Sequence, residues 1–224
     1  MKTAKSRPTA PSTRTQKRAL RTRQKLLQAA LSVFCEKGVD AATIEEITEK
    51  ADLGKGTFYR HFEGKEAVMA ALTADALDRL IENFRAPGPE PASLEETIRR
   101  IVKAHIAFFE KHRSEFVLLF QGRLYLKLDR TGAEEIERPF TRYLDEIERE
   151  ATPALPDSID EERIRQLVIA LAGFVSGYLS FAMIDTEPPE IEESLDTFLE
   201  GFITGALKHV ANDPPSAAEN QSNS

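Results

Sequence analysis

A short segment, residues 55–62, combines side-chain types that suit contact with a nucleic acid. It reads Lys-Gly-Thr-Phe-Tyr-Arg-His-Phe. Lysine and arginine bind phosphate oxygens, an arginine fork also matches the O6 and N7 atoms of guanine, and a glycine has no Cβ to hold a groove at a distance. On a helix, Phe58 and Phe62 lie on one face, because residues four apart are neighbours there. The two phenylalanines then face inward and leave the polar side chains exposed.

The elements that position this segment are two short helices joined by a break. Residues 43–46, Thr-Ile-Glu-Glu, match the capping box that begins a helix. Asp52-Leu53-Gly54 separates this helix, predicted over 43–51, from a second helix over 55–62. Such spacing is typical of a helix-turn-helix, whose second helix enters the major groove of DNA. A polar face that meets only water is the alternative interpretation, which the basic residues preceding the motif disfavour.

The charge is distributed unevenly along the chain. The 224 residues include 30 Lys and Arg against 37 Asp and Glu, a net charge of −7, which alone argues against a nucleic-acid partner. Residues 1–65 nevertheless carry +7 and the remainder −14, and the first 23 residues contain eight basic side chains and no acidic one. This distribution favours phosphate contact at one end of the molecule. A solvated tail that only aids solubility is the alternative for the first residues.

Apolar residues recur at helical spacing almost throughout, and no stretch alternates with the period of a strand, so the predicted fold class is all-α. Ser93 and Ser158 open two further capping boxes, Gly38 and Gly132 mark breaks, and Pro139 predicts a kink or a split inside a helix. We predict about nine helices, over residues 18–37, 43–51, 55–62, 64–84, 93–111, 114–128, 133–151, 158–185 and 190–211.

Residues from about Thr22 to Leu80 resemble the TetR family of transcriptional regulators. The similarity is carried by Thr-Arg-Gln-Lys-Leu-Leu-Gln-Ala-Ala-Leu-Ser-Val-Phe from residue 22, Thr-Ile-Glu-Glu-Ile-Thr-Glu-Lys-Ala from residue 43 and the 55–62 segment. The resemblance implies a homodimer of all-helical subunits, each with a three-helix DNA-binding head and a ligand-binding body, which leaves its palindromic operator when a small molecule binds. It implies DNA contacts at Thr43, Lys55, Gly56, Thr57, Tyr59, Arg60, His61 and Lys65.

Two positions of the turn depart from the pattern of the resembled family. Asp52 stands where glycine is usual, and Gly54 stands where a serine cap is usual. Aspartate tolerates a left-handed backbone and glycine is an accepted N-cap, so we expect the turn geometry to be kept. Because Gly54 has no hydroxyl, we expect the phosphate contact of that serine to be missing.

The domain organisation follows from these patterns. Residues 1–17 are predicted to be a disordered basic arm, because they have little apolar surface to bury. Residues 18–65 are predicted to be the helix-turn-helix DNA-binding domain, and residues 66–211 a ligand-binding and dimerisation domain. Residues 212–224, rich in Asn, Ser, Ala and Pro, are predicted to be a disordered tail.

An uncharged run from Leu167 to Ile184 reaches the length at which a membrane span must be considered. The run contains glycines, serines and a tyrosine, so we favour a helix buried on all sides and predict no membrane partner. A second subunit would supply part of that burial, because glycines four residues apart let helices approach closely and recur in the last helix. The predicted dimer interface comprises Gly173, Gly177, Leu195, Phe198, Phe202 and Gly205.

The body is rich in phenylalanine, and most of these side chains are expected to be core. Polar groups among them would orient a ligand in a mostly apolar pocket. We expect a small hydrophobic or aromatic effector, and an acidic group on it would meet Arg123. The predicted ligand-binding residues are His105, Phe109, Phe120, Arg123, Tyr143, Phe174 and Tyr178.

Catalysis is not expected. The chain has no phosphate-binding loop, no dinucleotide glycine fingerprint, no His-Glu-x-x-His and no Gly-x-Ser-x-Gly. The single cysteine, Cys35, excludes an internal disulfide, and no metal or cofactor is predicted. One cysteine and no apolar leader predict a cytoplasmic protein. The alternative function is a helical ligand-binding or scaffold protein that never touches DNA.

Overall fold

The computed structural model describes residues 13–85, 91–119, 133–185 and 189–211. Within these ranges the regular structure is helical and no strand occurs, so the predicted all-α class is confirmed. The helices are α1 (Thr13–Ala41), α2 (Ile44–Lys50), α3 (Lys55–Phe58), α4 (Lys65–Phe84), α5 (Leu94–Lys111), α6 (described over 113–119), α7 (Ala133–Ala151), a 3-10 turn (Thr152–Ala154), α8 (Glu161–Asp185) and α9 (Pro189–Ala211).

The chain divides into two compact units between Leu72 and Thr73, whereas the sequence suggested a boundary after residue 65. Helix α4 therefore contributes its first turns to the first unit and the rest to the second. Helix α1 begins at Thr13, so residues 13–17 are helical rather than part of an arm. The rest of the predicted arm, the predicted tail 212–224, Phe120 and Arg123 lie outside the described residues.

The first unit is built around apolar side chains of its helices. Leu26, Phe34, Ile47 and Phe58 are completely buried there. Gly38 interrupts α1, as predicted, because its φ of 80° and ψ of 161° are not helical. A residue without a Cβ adopts this conformation at little cost.

The turn between α2 and α3 has the predicted geometry. Glu46 N donates to Thr43 Oγ1 at 3.2 Å and Thr43 N donates to Glu46 Oε2 at 3.0 Å, so the capping box is complete. Asp52 takes the left-handed backbone with a φ of 54°, and Gly54 caps α3 without a side-chain hydrogen bond. Both unusual residues of the turn are therefore accommodated.

Helix α3 is shorter than predicted. It ends at Phe58 instead of residue 62, and residues 59–61 form a turn. The Phe58 carbonyl accepts hydrogen bonds from His61 N at 2.8 Å and from Phe62 N at 3.0 Å, which tightens the chain beyond the helix. Phe62 still points inward and is buried.

The second unit has a continuous apolar core formed by α4 to α9. Helix α7 continues through Pro139 as one element, so the predicted split is absent. Ser93 caps α5 by accepting from Glu96 N at 3.2 Å, as predicted. The predicted cap Ser158 is wrong, because α8 begins later and Asp160 Oδ1 accepts from Arg163 N at 2.8 Å.

Helix α8 is both part of this core and partly exposed. Residues 161–182 are long and apolar enough to cross a membrane by length and composition alone, a property that core helices share. Val175 and Leu179 are completely buried in the second unit. On the same helix, however, Ile169 is 52% and Phe181 71% exposed. Helix α8 therefore carries large apolar side chains that a single chain leaves largely uncovered.

Candidate functional site

The helix-turn-helix of the first unit presents a polar surface, which we call the recognition surface; it comprises Thr43, Lys55, Gly56, Thr57, Tyr59, Arg60 and His61. Phe58 and Phe62 are buried beneath it, as predicted. Thr57 and His61 are half-buried, and the other five residues are exposed. The sequence pattern was therefore sufficient to separate the inner from the outer side chains of α3 and the following turn.

Arg60 and Tyr59 are held by neighbouring side chains. Arg60 Nη2 donates to Thr57 Oγ1 at 3.0 Å, which orients the guanidinium along the surface. The Tyr59 ring packs edge-on against Phe58 with 5.5 Å between centroids. Because Phe58 is part of the core, the tyrosine hydroxyl projects from a fixed base. An arginine oriented in this way is suited to a guanine edge in a major groove.

Three lysines of the first unit pair with carboxylates of α1 and α2. Lys55 contacts Glu45, Lys37 Nζ lies 2.6 Å from Glu46 Oε1, and Lys50 Nζ lies 2.5 Å from Glu36 Oε1. These hydrogen bonds lower the pKa of the Glu46 and Glu36 carboxyl groups and raise the pKa of Lys37. Lys55 would have to exchange Glu45 for a phosphate to bind DNA.

Lys65 was predicted to contact DNA, but it does not belong to the recognition surface. Its Nζ atom donates to the carbonyl oxygens of Val39 at 2.9 Å, Asp40 at 3.0 Å and Ala42 at 2.7 Å. An ammonium group has three donors, and these carbonyls take all of them. The last carbonyls of a helix lack partners within the helix, so Lys65 closes the end of α1.

We expect Lys65→Met to destabilise the protein by roughly 2 kcal/mol, because partly buried carbonyls lose a charged donor. Urea unfolding of the full chain measures this loss. Lys50→Met is the matched control, since it removes only an exposed ion pair worth less than about 1 kcal/mol. Equal losses for the two variants would contradict the capping role.

His61 lies at the edge of the recognition surface. Burial lowers the pKa of its imidazole, and the positive charges of Arg60 and Arg23 lower it further. The imidazole is therefore neutral at neutral pH in the free protein. Arg23 itself lies over the Phe62 ring, with its guanidinium carbon 5.2 Å from the ring centroid. A phosphate placed here would favour the charged form of the ring.

The second unit contains a cavity of about 260 Å³. Among the described residues of its lining, a buried polar pair joins two predicted ligand residues, since His105 Nε2 lies 2.6 Å from Tyr143 Oη. The sequence analysis did not predict the aliphatic residues of the lining. The helical spacing of apolar residues in α4, which include Leu77 and Leu80, was a usable signal for them. The lining comprises Leu77, Leu80, His105, Phe116, Leu119, Phe140, Tyr143, Leu144, Ile169, Ala172, Gly173 and Ser176.

Other predicted ligand residues lie elsewhere in the second unit. Phe109 is buried against Phe116, with 5.1 Å between ring centroids, and does not line the cavity. Phe174 stacks on Phe202 at 4.9 Å, and Tyr178 packs near Phe198 at 6.0 Å, both between α8 and α9. The sequence predicted all three as ligand-binding residues, and none of them belongs to the described lining of the cavity. Their packing partners could not be inferred from spacing.

The predicted dimer-interface residues lie in three different places: at the surface, in the core and in the cavity lining. Phe198 is 59% exposed, and Gly201 and Gly205 are exposed on α9. A Cβ added at Gly177 or Gly205 would meet no atom of the described chain within 4 Å. The prediction that Leu195 lies in the dimer interface is wrong, because its side chain is completely buried in the core of its own chain and is inaccessible to a partner. Gly173, another predicted interface residue, lines the cavity.

Within the described ranges, no group of three His, Cys, Asp or Glu side chains is arranged to hold a metal ion. Three acidic side chains of the first unit, Glu36, Glu45 and Glu46, pair with lysines. The polar pair in the cavity contains one imidazole and one phenol.

Comparison with known proteins gives the same assignment for the first unit. Residues 26–72 match the family model for bacterial regulatory proteins of the tetR family. The chain is 34% identical over 114 residues to the uncharacterized HTH-type transcriptional regulator TtgW of Pseudomonas putida, a match that spans 51% of this chain and 81% of that protein.

Two further similarities extend over more of the chain. The uncharacterized HTH-type transcriptional regulator YvdT of Bacillus subtilis is 29% identical over 126 residues, which span 55% of this chain and 63% of YvdT, less than two thirds of that relative. The crystal structure of the transcriptional regulator FadR from Bacillus subtilis in complex with stearoyl-CoA superposes with a TM-score of 0.63 at 19% identity, covering 81% of this chain and 97% of that one. These relatives are regulators rather than enzymes, in agreement with the prediction. The chain belongs to the tetR family of bacterial transcriptional regulators.

Proposed function

We propose that this protein is a repressor that binds a palindromic DNA operator as a homodimer and releases it when a small hydrophobic molecule binds. The recognition surface is the observation that carries the proposal. It combines exposed cationic and hydroxyl side chains with an exposed glycine, and two buried phenylalanines fix it to the core. A polar surface that contacts only solvent would not need to be fixed to the core by two buried phenylalanines.

In the proposed complex, α3 and the turn that follows it enter the major groove. Arg60, oriented by Thr57, reads a guanine edge, and Tyr59 and His61 contact phosphates. Lys55 exchanges Glu45 for a phosphate. Lys65 holds the end of α1 and supports the surface from behind. The proposed contacts are Thr43, Lys55, Gly56, Thr57, Tyr59, Arg60 and His61.

The uncovered apolar face of α8 and α9 supports the homodimer. Phe181 and Phe198 are 71% and 59% exposed. Large exposed apolar side chains concentrated on two neighbouring helices mark a protein interface. The exposed glycines of α9 leave room for a close helix approach, which offsets their cost of about 1 kcal/mol each relative to alanine. Two helices from each subunit would then form a four-helix bundle.

Helix α7 offers a route from the cavity to α4. Arg142 Nη1 lies 2.5 Å from Asp78 Oδ1, and Glu146 Oε2 lies 3.0 Å from Arg85 Nη2. The two ion pairs join α7 to α4 and to Arg85, which directly follows α4, on either side of Tyr143, a lining residue of the cavity. A ligand that displaces Tyr143 would therefore bias the position of α4. The coupling is limited by the difference between the ligand affinities of the two states.

A mobility-shift experiment with the DNA upstream of the gene tests the proposal. We expect binding to a palindrome whose half-sites lie about one helical turn apart. The affinity should fall steeply as salt rises, because phosphate contacts release counterions. Failure to bind any palindromic fragment across the salt range would overturn the proposal in favour of a ligand-binding protein that never touches DNA.

We expect the DNA affinity to increase as the pH falls from about 7.5 to about 5.5, the range in which histidine titrates. The pKa of His61 is lowered in the free protein, and a phosphate would raise it in the complex. Binding then takes up a proton, which favours the complex at lower pH. Fluorescence anisotropy of labelled operator DNA measures the effect.

The variant His61→Gln should lose most of this pH dependence, whereas His112→Gln, which changes a histidine of the second unit, should retain it. A pH profile unchanged in His61→Gln would exclude His61 from the contact with phosphate.

A further inference from the structure

Helix α1 extends well beyond the core of the first unit. It begins at Thr13, whereas the first of its described side chains to be buried is that of Leu26. Residues 14–21 are exposed without exception, and even Leu20 is 60% accessible. At a rise of 1.5 Å per residue, the stretch before Leu26 is about 20 Å long. The packing of the unit therefore does not account for this part of the helix.

Exposed basic side chains form a stripe along this stretch of α1. Their positions recur at helical spacing, so with 3.6 residues per turn they fall within about 100° of the helix circumference. We call this surface the α1 basic stripe; it comprises Arg14, Lys17, Arg18, Arg21 and Lys25.

Within the described part of the first unit, the stripe has no ion-pair partner. The chain contains no Asp or Glu before Glu36. The ion pairs that are described in this unit use Lys37, Lys50 and Lys55 instead. Because like charges four residues apart destabilise a helix, members of the stripe repel one another in the free protein. An anionic partner would remove this repulsion.

Arg23 relates the stripe to the recognition surface. It is two residues from Arg21 on α1, and its guanidinium carbon lies 5.2 Å from the centroid of the Phe62 ring. Phe62 directly follows His61, which lies at the edge of the recognition surface. The stripe therefore passes this edge, and from Arg23 to Arg14 it continues for about 14 Å. One strand of a duplex advances about 3.4 Å per phosphate, so this length matches about four phosphates.

The chemistry of the stripe suits phosphates better than base edges. Reading a guanine requires an oriented guanidinium, such as that of Arg60, which donates to Thr57. Within the described residues, no side chain of the stripe is oriented by such a hydrogen bond. Lysine and arginine side chains of this kind neutralise phosphates and carry no sequence information.

We propose that the α1 basic stripe is a second DNA-binding surface, which contacts the phosphate backbone of the duplex flanking each half-site and is indifferent to its base sequence. This inference rests on the proposed function in taking operator DNA as the partner. It adds a contact that none of the residues of the recognition surface provides, since none of them lies on α1.

Salt titration of DNA binding by the full-length protein tests the inference. The variant Arg14→Gln/Arg18→Gln/Arg21→Gln removes three charges of the stripe and keeps good helix formers. Each phosphate contact contributes about −0.9 to the slope of log affinity against log salt concentration, so we expect the slope to become shallower by about 2 or more. Fluorescence anisotropy gives the slope for a labelled palindromic fragment and for a duplex of scrambled sequence. An unchanged slope on either duplex would overturn the inference.

The preference for the palindrome over the scrambled duplex should survive in this triple variant. We expect both affinities to fall by about tenfold or more at low salt, and their ratio to change by less than about twofold, because phosphate contacts do not discriminate between sequences. A larger change in the ratio would contradict a contact that is indifferent to sequence. Urea unfolding should show no loss of stability, since the removed charges are exposed and repel one another.

The matched control is Lys103→Gln/Lys111→Gln/Arg138→Gln. It removes three exposed positive charges from the second unit and should keep the slope of the parent protein. An equal change of slope in the control would reveal an effect of net charge and would overturn a local contact by α1.

The length of the DNA provides a measurement that needs no variant. The parent protein should bind the palindrome with about one helical turn of flanking duplex on each side about tenfold more tightly than the palindrome alone. The triple variant of the stripe should lose this difference. Equal affinities of the parent protein for the long and the trimmed fragment would overturn the contact with flanking DNA.

Binding to the scrambled duplex does not require an operator, so the stripe and the operator can fail separately. A shallower slope of the triple variant on the scrambled duplex, without any preference for a palindrome, would retain the stripe and overturn the proposed repressor. A preference for the palindrome, with the slope of the parent protein in the triple variant, would retain the repressor and overturn the stripe.

Discussion

Replacement of Gly56 by progressively larger residues is expected to weaken DNA binding without weakening the fold. Gly56 is exposed in α3, and a Cβ built at this position meets no atom of the described chain within 4 Å. Glycine inside a helix costs about 1 kcal/mol relative to alanine, so Gly56→Ala should keep or slightly raise the free energy of unfolding. The added carbon would instead occupy the space between α3 and the groove.

The loss of DNA affinity should increase with side-chain size. Gly56→Ala is expected to weaken operator binding by about tenfold, and Gly56→Leu by about a hundredfold or more, because one misfitted contact costs about 1–3 kcal/mol and the larger side chain displaces several. Fluorescence anisotropy at fixed salt measures the affinity, and urea unfolding measures the stability of the same samples.

Gln28→Leu is the control for this series. Gln28 is exposed on α1 and does not belong to the recognition surface, so the same increase in apolar size should leave operator affinity unchanged. If Gly56→Leu bound the operator as tightly as the parent protein, α3 would not lie in the groove. If it unfolded, Gly56→Ala would carry the test alone, because its smaller side chain fits without contact.

Disruption of the exposed α8–α9 face has the second large expected effect. Phe198→Asp places a charge where an aromatic side chain is 59% exposed in a single chain. In a two-fold symmetric interface each substitution occurs twice. A central aromatic residue contributes about 2 kcal/mol or more, so the dimer should weaken by about a thousandfold. Sedimentation velocity at micromolar concentration should then show a monomer.

Gly177→Leu tests the same face by size instead of charge. Gly177 has no described neighbour within 4 Å of an added Cβ, so a β-carbon fits at this position, and we expect the longer leucine side chain to obstruct a partner. Both variants should also lose operator affinity, since a monomer contacts one half-site.

Leu20→Asp is the matched control for the interface. Leu20 is a similarly exposed apolar residue, 60% accessible, but it lies on α1 in the first unit. Its replacement should leave the oligomeric state unchanged. A parent protein that sediments as a monomer, or a Phe198→Asp variant that remains dimeric, would contradict the proposed interface.

Local chemistry explains why much of the first unit could be predicted. The capping box at Thr43, the break at Gly38 and the inward pair Phe58 and Phe62 depend on residues within a few positions of one another. Helical periodicity and capping patterns predict such short-range relations directly from the sequence. The early end of α3 was missed because the backbone hydrogen bonds that follow Phe58 are not recorded in the pattern of side chains.

The partners of side chains far apart in sequence were the part that could not be predicted. Lys65 donates to carbonyls more than twenty residues away, and Leu195 is buried within its own chain. His105 and Tyr143 were each selected as polar residues among phenylalanines, but only packing of α5 against α7 shows that they are bonded to each other. Spacing along the chain contains no information on such contacts.

The sequence by itself determined the helical fold class and the helix-turn-helix, because capping and periodicity are local properties. Its resemblance to a regulator family was carried by the motifs of residues 22–80. The tertiary structure decided the roles of particular side chains. It showed that Lys65 caps the end of α1, that Leu195 belongs to the core, and that His105 is hydrogen-bonded to Tyr143 beside a cavity. The physical reason is that hydrogen-bond partners and burial are set by which helices pack together, and helix packing is a property of the whole unit.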